Sequence, residues 1–369
     1  MRRFIFLALL AAMATSAEAA RPVTVRQLLQ LLETKHAARN GDTSIANLVE
    51  SLELSERLTR PTLDRIKLKL EPGVRTAQAL DLLADASLFL EPPAGEVPVK
   101  DPPNTVTRQV MLNGAASFAA VTLRQLPNLQ ATRETRSFSS NPEKLNVRAP
   151  RRLDMSLASI SREQVSYRNG LETPGFVRAS SAKANQAPST SGLASQGEFG
   201  PLLALVLLDA ARSGVKWSRW EETPSGLAAV FEYQVPQAVS HYRVVILCCA
   251  IRTRLGLSRE PYFYDGTPAY HGKLYLDPAT GAVLRFTVEP EFKKSDPVER
   301  VAQSVEYGKA EIGDKSYDCP VQSIALIAIR NLNAKAPEDR TFRSLNAVSF
   351  IDYRRPDSTE NTLASAPAP

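Results

Sequence analysis

The sequence contains no Gly-x-Ser-x-Gly elbow, no His-Glu-x-x-His pair, no phosphate-binding loop and no dinucleotide fingerprint. The common routes to nucleophilic, metal-assisted and cofactor chemistry therefore have no local signature, and neither a cofactor nor enzymatic activity is expected. Three histidines and three cysteines in 369 residues offer little from which to build a metal site, and their spacing fits no zinc pattern. Beyond residue 19, no apolar run reaches the roughly 18 residues that a membrane-spanning helix needs. Lysine and arginine are scattered and no nucleic-acid motif accompanies them, which argues against a nucleic-acid partner. Arg148, Arg151 and Arg152 form the densest basic group, suited to a solvated strand edge.

What is present begins with an address. Arg2 and Arg3, the apolar run from Phe4 to Met13, and Ala17-Glu18-Ala19 follow the order of a secretory signal over residues 1–19. The expected location is the periplasm or the extracellular space. No cysteine follows the expected cut, at Ala20-Arg21-Pro22, which argues against a lipid anchor there. The arginine pair lies too close to Met1 for twin-arginine export. Removing Arg2, Arg3 and Glu18 turns 45 basic and 39 acidic residues into 43 and 38, a net charge of about +5.

Residues 20–91 read as a small helical bundle. Val25, Leu28, Leu29 and Leu32 recur at helical spacing behind Thr24 and Gln27, which form a capping box. The same period returns at Ile45, Leu48, Val49 and Leu52, around Leu63, Ile66 and Leu70 behind Pro61, and from Ala79 to Leu90. A proline-rich linker over 92–104 is the expected domain boundary. One further helix, with Val110, Gly114, Phe118 and Val121 on its stripe, then leads into strands.

Residues 105–355 read as an antiparallel sheet domain, because the connections are too short for parallel crossovers. Asn169-Gly170 is a strong hairpin signal. The Ser- and Ala-rich stretch 178–198 is expected to be a mobile loop, and 356–369 a disordered tail. Phe199, Leu202, Leu203, Val206, Leu207 and Ala210 mark an apolar helix that needs burial against the sheet. In Asp277-Pro278-Ala279-Thr280-Gly281, Asp277 caps a turn, Pro278 fixes its first corner and Gly281 supplies a left-handed exit. The expected fold class is α+β: a helical bundle followed by a curved antiparallel half-barrel with a packed apolar helix.

Disulfides are permitted in an exported protein. Neighbouring strand residues face opposite sides, so only one of Cys248 and Cys249 can meet Cys319 across the sheet. Cys249 with Cys319 is the expected pair, Cys248 the alternative, and such a bridge would contribute about 4 kcal/mol.

Tyr270-His271-Gly272, Asp277-Pro278-Ala279-Thr280-Gly281-Ala282-Val283-Leu284-Arg285 and Tyr317-Asp318-Cys319-Pro320 resemble a family of exported bacterial proteins of uncharacterised function, over most of the mature chain. More distantly, the meander and its Asp-Pro-x-Thr-Gly hairpin look like the outer-membrane lipoprotein-sorting carriers. Their curved half-barrel, lined by helices, holds acyl chains. The chain departs from those carriers in its N-terminal helical domain, and their acyl-contacting residues have no assigned counterparts here. The expected function is that of a non-enzymatic envelope binding protein or carrier for a lipid, a lipoprotein acyl chain or another apolar ligand. Trp217, Trp220, Phe231, Tyr233, Tyr270 and His271 are the expected ligand-binding residues. The alternative is an envelope scaffold holding a protein partner. A hydrolase, the third reading, requires His271 to face an acid and a nucleophile. Glu221 and Glu222 adjoin the tryptophans, but adjacency is not the opposed carboxylate geometry of a glycosidase.

Overall fold

A computed structural model describes residues 22–122, 125–140, 155–174, 197–248, 262–296, 298–330 and 341–356. The signal segment, residues 178–196 of the expected loop, residues 357–369, Cys249 and the arginines at 148, 151 and 152 lie outside the described residues. The chain divides into two compact units between Glu91 and Pro92. Among the described residues, no helix is long and apolar enough to cross a membrane.

The first unit holds α1 (Val25–Ala37), α2 (Asp42–Glu50), α3 (Arg60–Leu70) and α4 (Val74–Ser87). Leu28, Leu32, Val49, Leu63, Ile66 and Leu80 are buried together at its centre. The capping box forms: Thr24 Oγ1 accepts the Gln27 amide at 3.2 Å and Gln27 Oε1 accepts the Thr24 amide at 2.8 Å. At α4 the N-cap is Gly73, which has no side chain to offer. Its cap comes instead from Asp42 at the start of α2, whose carboxylate accepts the amides of Arg75 at 3.1 Å and Thr76 at 3.0 Å. A Cβ on Gly73 would lie 2.6 Å from Asp42 Oδ2, so glycine there makes room for the donated cap. Hydrogen bonds from Thr76, opposed by desolvation, hold the Asp42 carboxyl below its ordinary value.

Among the described residues, the second unit is an open antiparallel sheet of ten strands that does not close into a barrel. In chain order they are β1 (Leu129–Ser140), β2 (Met155–Arg168), β3 (Leu171–Pro174), β4 (Val215–Thr223), β5 (Gly226–Val235), β8 (Tyr270–Leu276), β9 (Val283–Pro290), β10 (Val298–Ile312), β11 (Lys315–Arg330) and β12 (Thr341–Arg354). Among the described residues, the two intervening strands, β6 (Val244–Cys248) and β7 (Tyr262–Gly266), pair only with each other. The spatial order is β3-β2-β1-β12-β11-β10-β9-β8-β5-β4. Pairing β1 with β12 brings the first and last strands of the domain together in mid-sheet. The β2–β3 turn has Asn169 at φ 53° and Gly170 at φ 82°, the two positive values that a type I′ hairpin demands.

Two helices pack on the sheet: α5 (Thr105–Ser117) and α6 (Pro201–Ser213). In α6, Leu202, Leu203, Val206 and Ala210 are buried against the sheet's largest apolar cluster, which Phe199 also joins. The inward stripe of α5 differs from the expected one. Met111, Ala115 and Phe118 face the core, while Val110 and Val121 are exposed. Gly114 faces the Asp277–Gly281 turn so closely that a Cβ there would meet the Thr280 carbonyl and approach the Gly281 Cα to 2.8 Å. Residues 92–104 are not a bare spacer either. The Asp101 carbonyl accepts the Trp220 indole N–H at 2.9 Å, and Lys100 Nζ lies 4.4 Å above that ring.

The Asp277 turn forms as read from the sequence. Asp277 Oδ1 accepts the amides of Ala279 at 2.9 Å and Thr280 at 2.8 Å, together with the Thr280 hydroxyl at 2.9 Å. Gly281 leaves the turn at φ 73°, and a Cβ there would stand 2.5 Å from the Met111 carbonyl oxygen. Gly170 has a similar φ with nothing within 4 Å. Alanine at Gly170 therefore carries only the left-handed penalty of about 1 kcal/mol. At Gly281 it must also push α5 away, for a loss of about 3 kcal/mol. Urea denaturation of G170A and G281A checks the difference, and equal midpoints would contradict it.

Candidate functional site

The inner face of the sheet, on which α6 lies, carries three polar constellations within an otherwise apolar surface. The first joins α6 to the sheet. Asp209 has no exposed surface. Its Oδ2 accepts the His241 amide and the Tyr270 hydroxyl, each at 2.8 Å, and its Oδ1 lies 2.6 Å from His241 Nδ1. Burial pushes the Asp209 carboxyl up, but these bonds together outweigh it and hold the group below its ordinary value. The His241 side chain is 52% exposed and leaves Nε2 outside the bond to Asp209. This orients an imidazole, yet no hydrogen bond joins it to a hydroxyl or thiol nucleophile among the described residues.

The second constellation surrounds Arg133 on β1, which lies 3.6 Å from buried Glu198 and 4.0 Å from Glu172 of β3. Glu198 belongs to the stretch expected to be mobile but is fully buried, and its carbonyl accepts the Tyr307 hydroxyl at 2.9 Å. Burial, followed by the neighbouring charge of Glu198, raises the Glu172 carboxyl to about 7 against the pull of Arg133. No local pattern announces this group, because its members stand 39 and 26 positions apart along the chain.

The third lies further along β10, β11 and β12. Gln303 faces Val288 on one side and Ala325 on the other, and Ala325 faces Asn346. One step along the same face, Val305 faces Ser323, which faces Val348. Gln303 is 6% exposed and Ser323 1%, and neither Gln303 Nε2 nor Ser323 Oγ has a hydrogen-bond partner. Two such groups cost about 1–3 kcal/mol each when left unmet. They lie between two apolar clusters. One contains Val305, Phe286, Val288 and Val348 beside α6, and the other contains Val301, Ile327 and Ile329 with Val244 and Ile246 of β6.

The residues expected to bind ligand divide between packing and surface. Trp217 and Trp220 meet edge-on at 4.9 Å, and Trp217 meets Phe231 at 5.5 Å. Tyr233 and Tyr270 meet at 5.9 Å. Phe231, Tyr233 and Tyr270 are buried, with the Tyr233 hydroxyl donated to the Thr287 carbonyl at 2.6 Å and that of Tyr270 to Asp209. His271 is not brought to them. Strand alternation puts it on the outer face, exposed and opposite Glu289. Gly272 is explained by its neighbours, because a Cβ there would collide with the Thr287 carbonyl and stand 2.6 Å from the Tyr233 hydroxyl. Glu221 also lies on the outer face, bound to Arg219 at 2.8 Å and Arg285 at 2.9 Å.

Cys319 is a free, fully buried thiol, raised to about 12 by burial first and Asp318 second. Its expected partner Cys249 lies outside the described residues, and no disulfide occurs among those described. Among the described residues, no group of three or more His, Cys, Asp or Glu is arranged to hold a metal ion. A scan of protein-family models and a search of curated proteins both return no match to the chain.

Two predictions follow from the charged groups. Asp209→Asn replaces an acceptor of several donors and should cost about 3 kcal/mol. Thermal unfolding followed by circular dichroism measures this, and an unchanged midpoint would show that α6 is held by apolar contact alone. Glu172 ionises at about 7 when folded and near 4.5 when unfolded. Its contribution to stability is therefore fully present below about 4.5 and lost as pH rises through 7. Denaturation of wild type and Glu172→Gln at pH 5 and pH 8 should show wild type losing ground to the variant at the higher pH. A constant difference would refute the assignment.

Proposed function

We propose that this protein is a non-enzymatic binding protein of the bacterial envelope that holds an apolar, acyl-type ligand against the inner face of its open sheet. The observation that carries this reading is the break in that face, where buried polar atoms without partners separate two apolar clusters. A fully self-satisfied core leaves few such atoms. Further support comes from the export signal at residues 1–19 and from the likeness of the meander to lipoprotein-sorting carriers. The aromatic residues under α6 serve as the wall of the site, since their hydroxyls are already engaged. Gly200 at φ 133° and Gly214 at φ 95° flank α6, in conformations that glycine holds most readily.

The scaffold reading has one observation in its favour. Val106 and Val110, one turn apart on α5, are both exposed. For the hydrolase reading, His271 stands exposed on the outer face opposite Glu289, away from the buried acids of the inner face.

Native mass spectrometry of protein purified without detergent from its own host's envelope tests the carrier reading. A stoichiometric adduct that lipid extraction removes is expected. A clean apo mass would overturn the carrier and favour the scaffold.

A further inference from the structure

We infer that Gln303 and Ser323 form the polar subsite of the inner face and donate hydrogen bonds to the neutral carbonyl of an acyl ester. This inference rests on the carrier reading and adds the chemistry of the ligand's polar end. Gln303 Nε2 and Ser323 Oγ are buried donors on one face of adjacent strands, and both lack a partner. Ala325 stands across from Gln303 and two positions along β11 from Ser323, so a small side chain separates the two donors on that face. An amide N–H and a hydroxyl in such a place call for an acceptor.

The surroundings narrow what that acceptor can be. On one side stand Val305 and Val348 and on the other Val301 and Ile327. A molecule that reaches the donors while touching both flanks must be apolar to either side of its acceptor. The cross-strand rows through Gln303 and Ser323 contain Val288, Ala325, Asn346, Ser137, Val348 and Thr135, with no charged side chain. The nearest cation along β1, Arg133, is matched by Glu198 and Glu172. A free carboxylate or phosphate would therefore enter without a counter-charge, whereas an ester carbonyl needs none. Hydroxyls of Thr135 and Ser137 on β1 continue the polar line toward the half-buried edge of the seam, where a glyceryl group has partners.

The test compares full-length wild type with Gln303→Leu/Ser323→Ala, and with Ser323→Ala alone as the milder change. Three probes are titrated: 1-oleoylglycerol, an S-diacylglyceryl cysteinyl peptide, and N-phenyl-1-naphthylamine, which is apolar and has no carbonyl. Wild type should bind the naphthylamine and at least one ester probe, and the ester that binds identifies the source as a glycerolipid or a lipoprotein. The double variant should keep naphthylamine binding and lose ester affinity about tenfold or more, with Ser323→Ala intermediate. Unchanged ester affinity in both variants would overturn the subsite and leave the donors to buried water. Binding of oleate as tightly as of its glyceryl ester would overturn the preference for a neutral carbonyl. No binding of any probe by wild type would instead overturn the carrier reading itself.

Discussion

Asp209 holds a carboxylate where no solvent reaches it, and the arrangement of the sheet domain's inner face depends on how that charge is met. A buried carboxylate without donors would change its protonation state or expel its helix. Here the His241 amide and ring approach from the segment before β6, and the Tyr270 hydroxyl approaches from β8. One side chain on α6 therefore fixes the helix to the sheet and to the start of the β6–β7 pair. The apolar side of α6 supplies attraction, but apolar contact alone is non-directional and would tolerate sliding. The carboxylate sets the position of the helix on the inner face.

The same logic explains the sequence motifs. In Tyr270-His271-Gly272, the tyrosine meets Asp209, the histidine faces outward, and the glycine clears space for the Tyr233 hydroxyl on its way to Thr287. In the turn that follows, Asp277 gathers the donors of Ala279 and Thr280, and Gly281 lets the backbone approach Gly114 of α5. Packing and backbone satisfaction account for Tyr270, Gly272, Asp277 and Gly281 in these motifs.

Much of the fold was legible because local rules sufficed. The capping box at Thr24, the Asn169-Gly170 hairpin and the Asp277 turn each depend on residues a few positions apart, and each formed. The α6 stripe was readable for the same reason. On α5 the rule misled, because nearly every face of that helix has an apolar residue, and only the sheet decides between Met111 and Val110. His271 attracted attention as a histidine beside conspicuous residues, but alternation along β8 turns it outward, and the histidine that meets a buried acid is His241. Gln303 and Ser323 were invisible in the sequence. A glutamine and a serine in strands are ordinary until pairing across β10 and β11 buries them on one face between two apolar clusters.

The seam between the two apolar clusters lies on β10, β11 and β12. Gln303 Nε2 and Ser323 Oγ are two of several buried polar atoms without hydrogen-bond partners among the described residues, set apart by standing together on one face between two apolar clusters. The most direct measurement is a high-resolution crystal structure of protein taken from its own host without detergent. Continuous elongated density lying across both apolar clusters, with an acceptor within hydrogen-bond distance of Gln303 and Ser323, is expected. Isolated water peaks on those two side chains, with the flanking valines and isoleucines closed against one another, would contradict it.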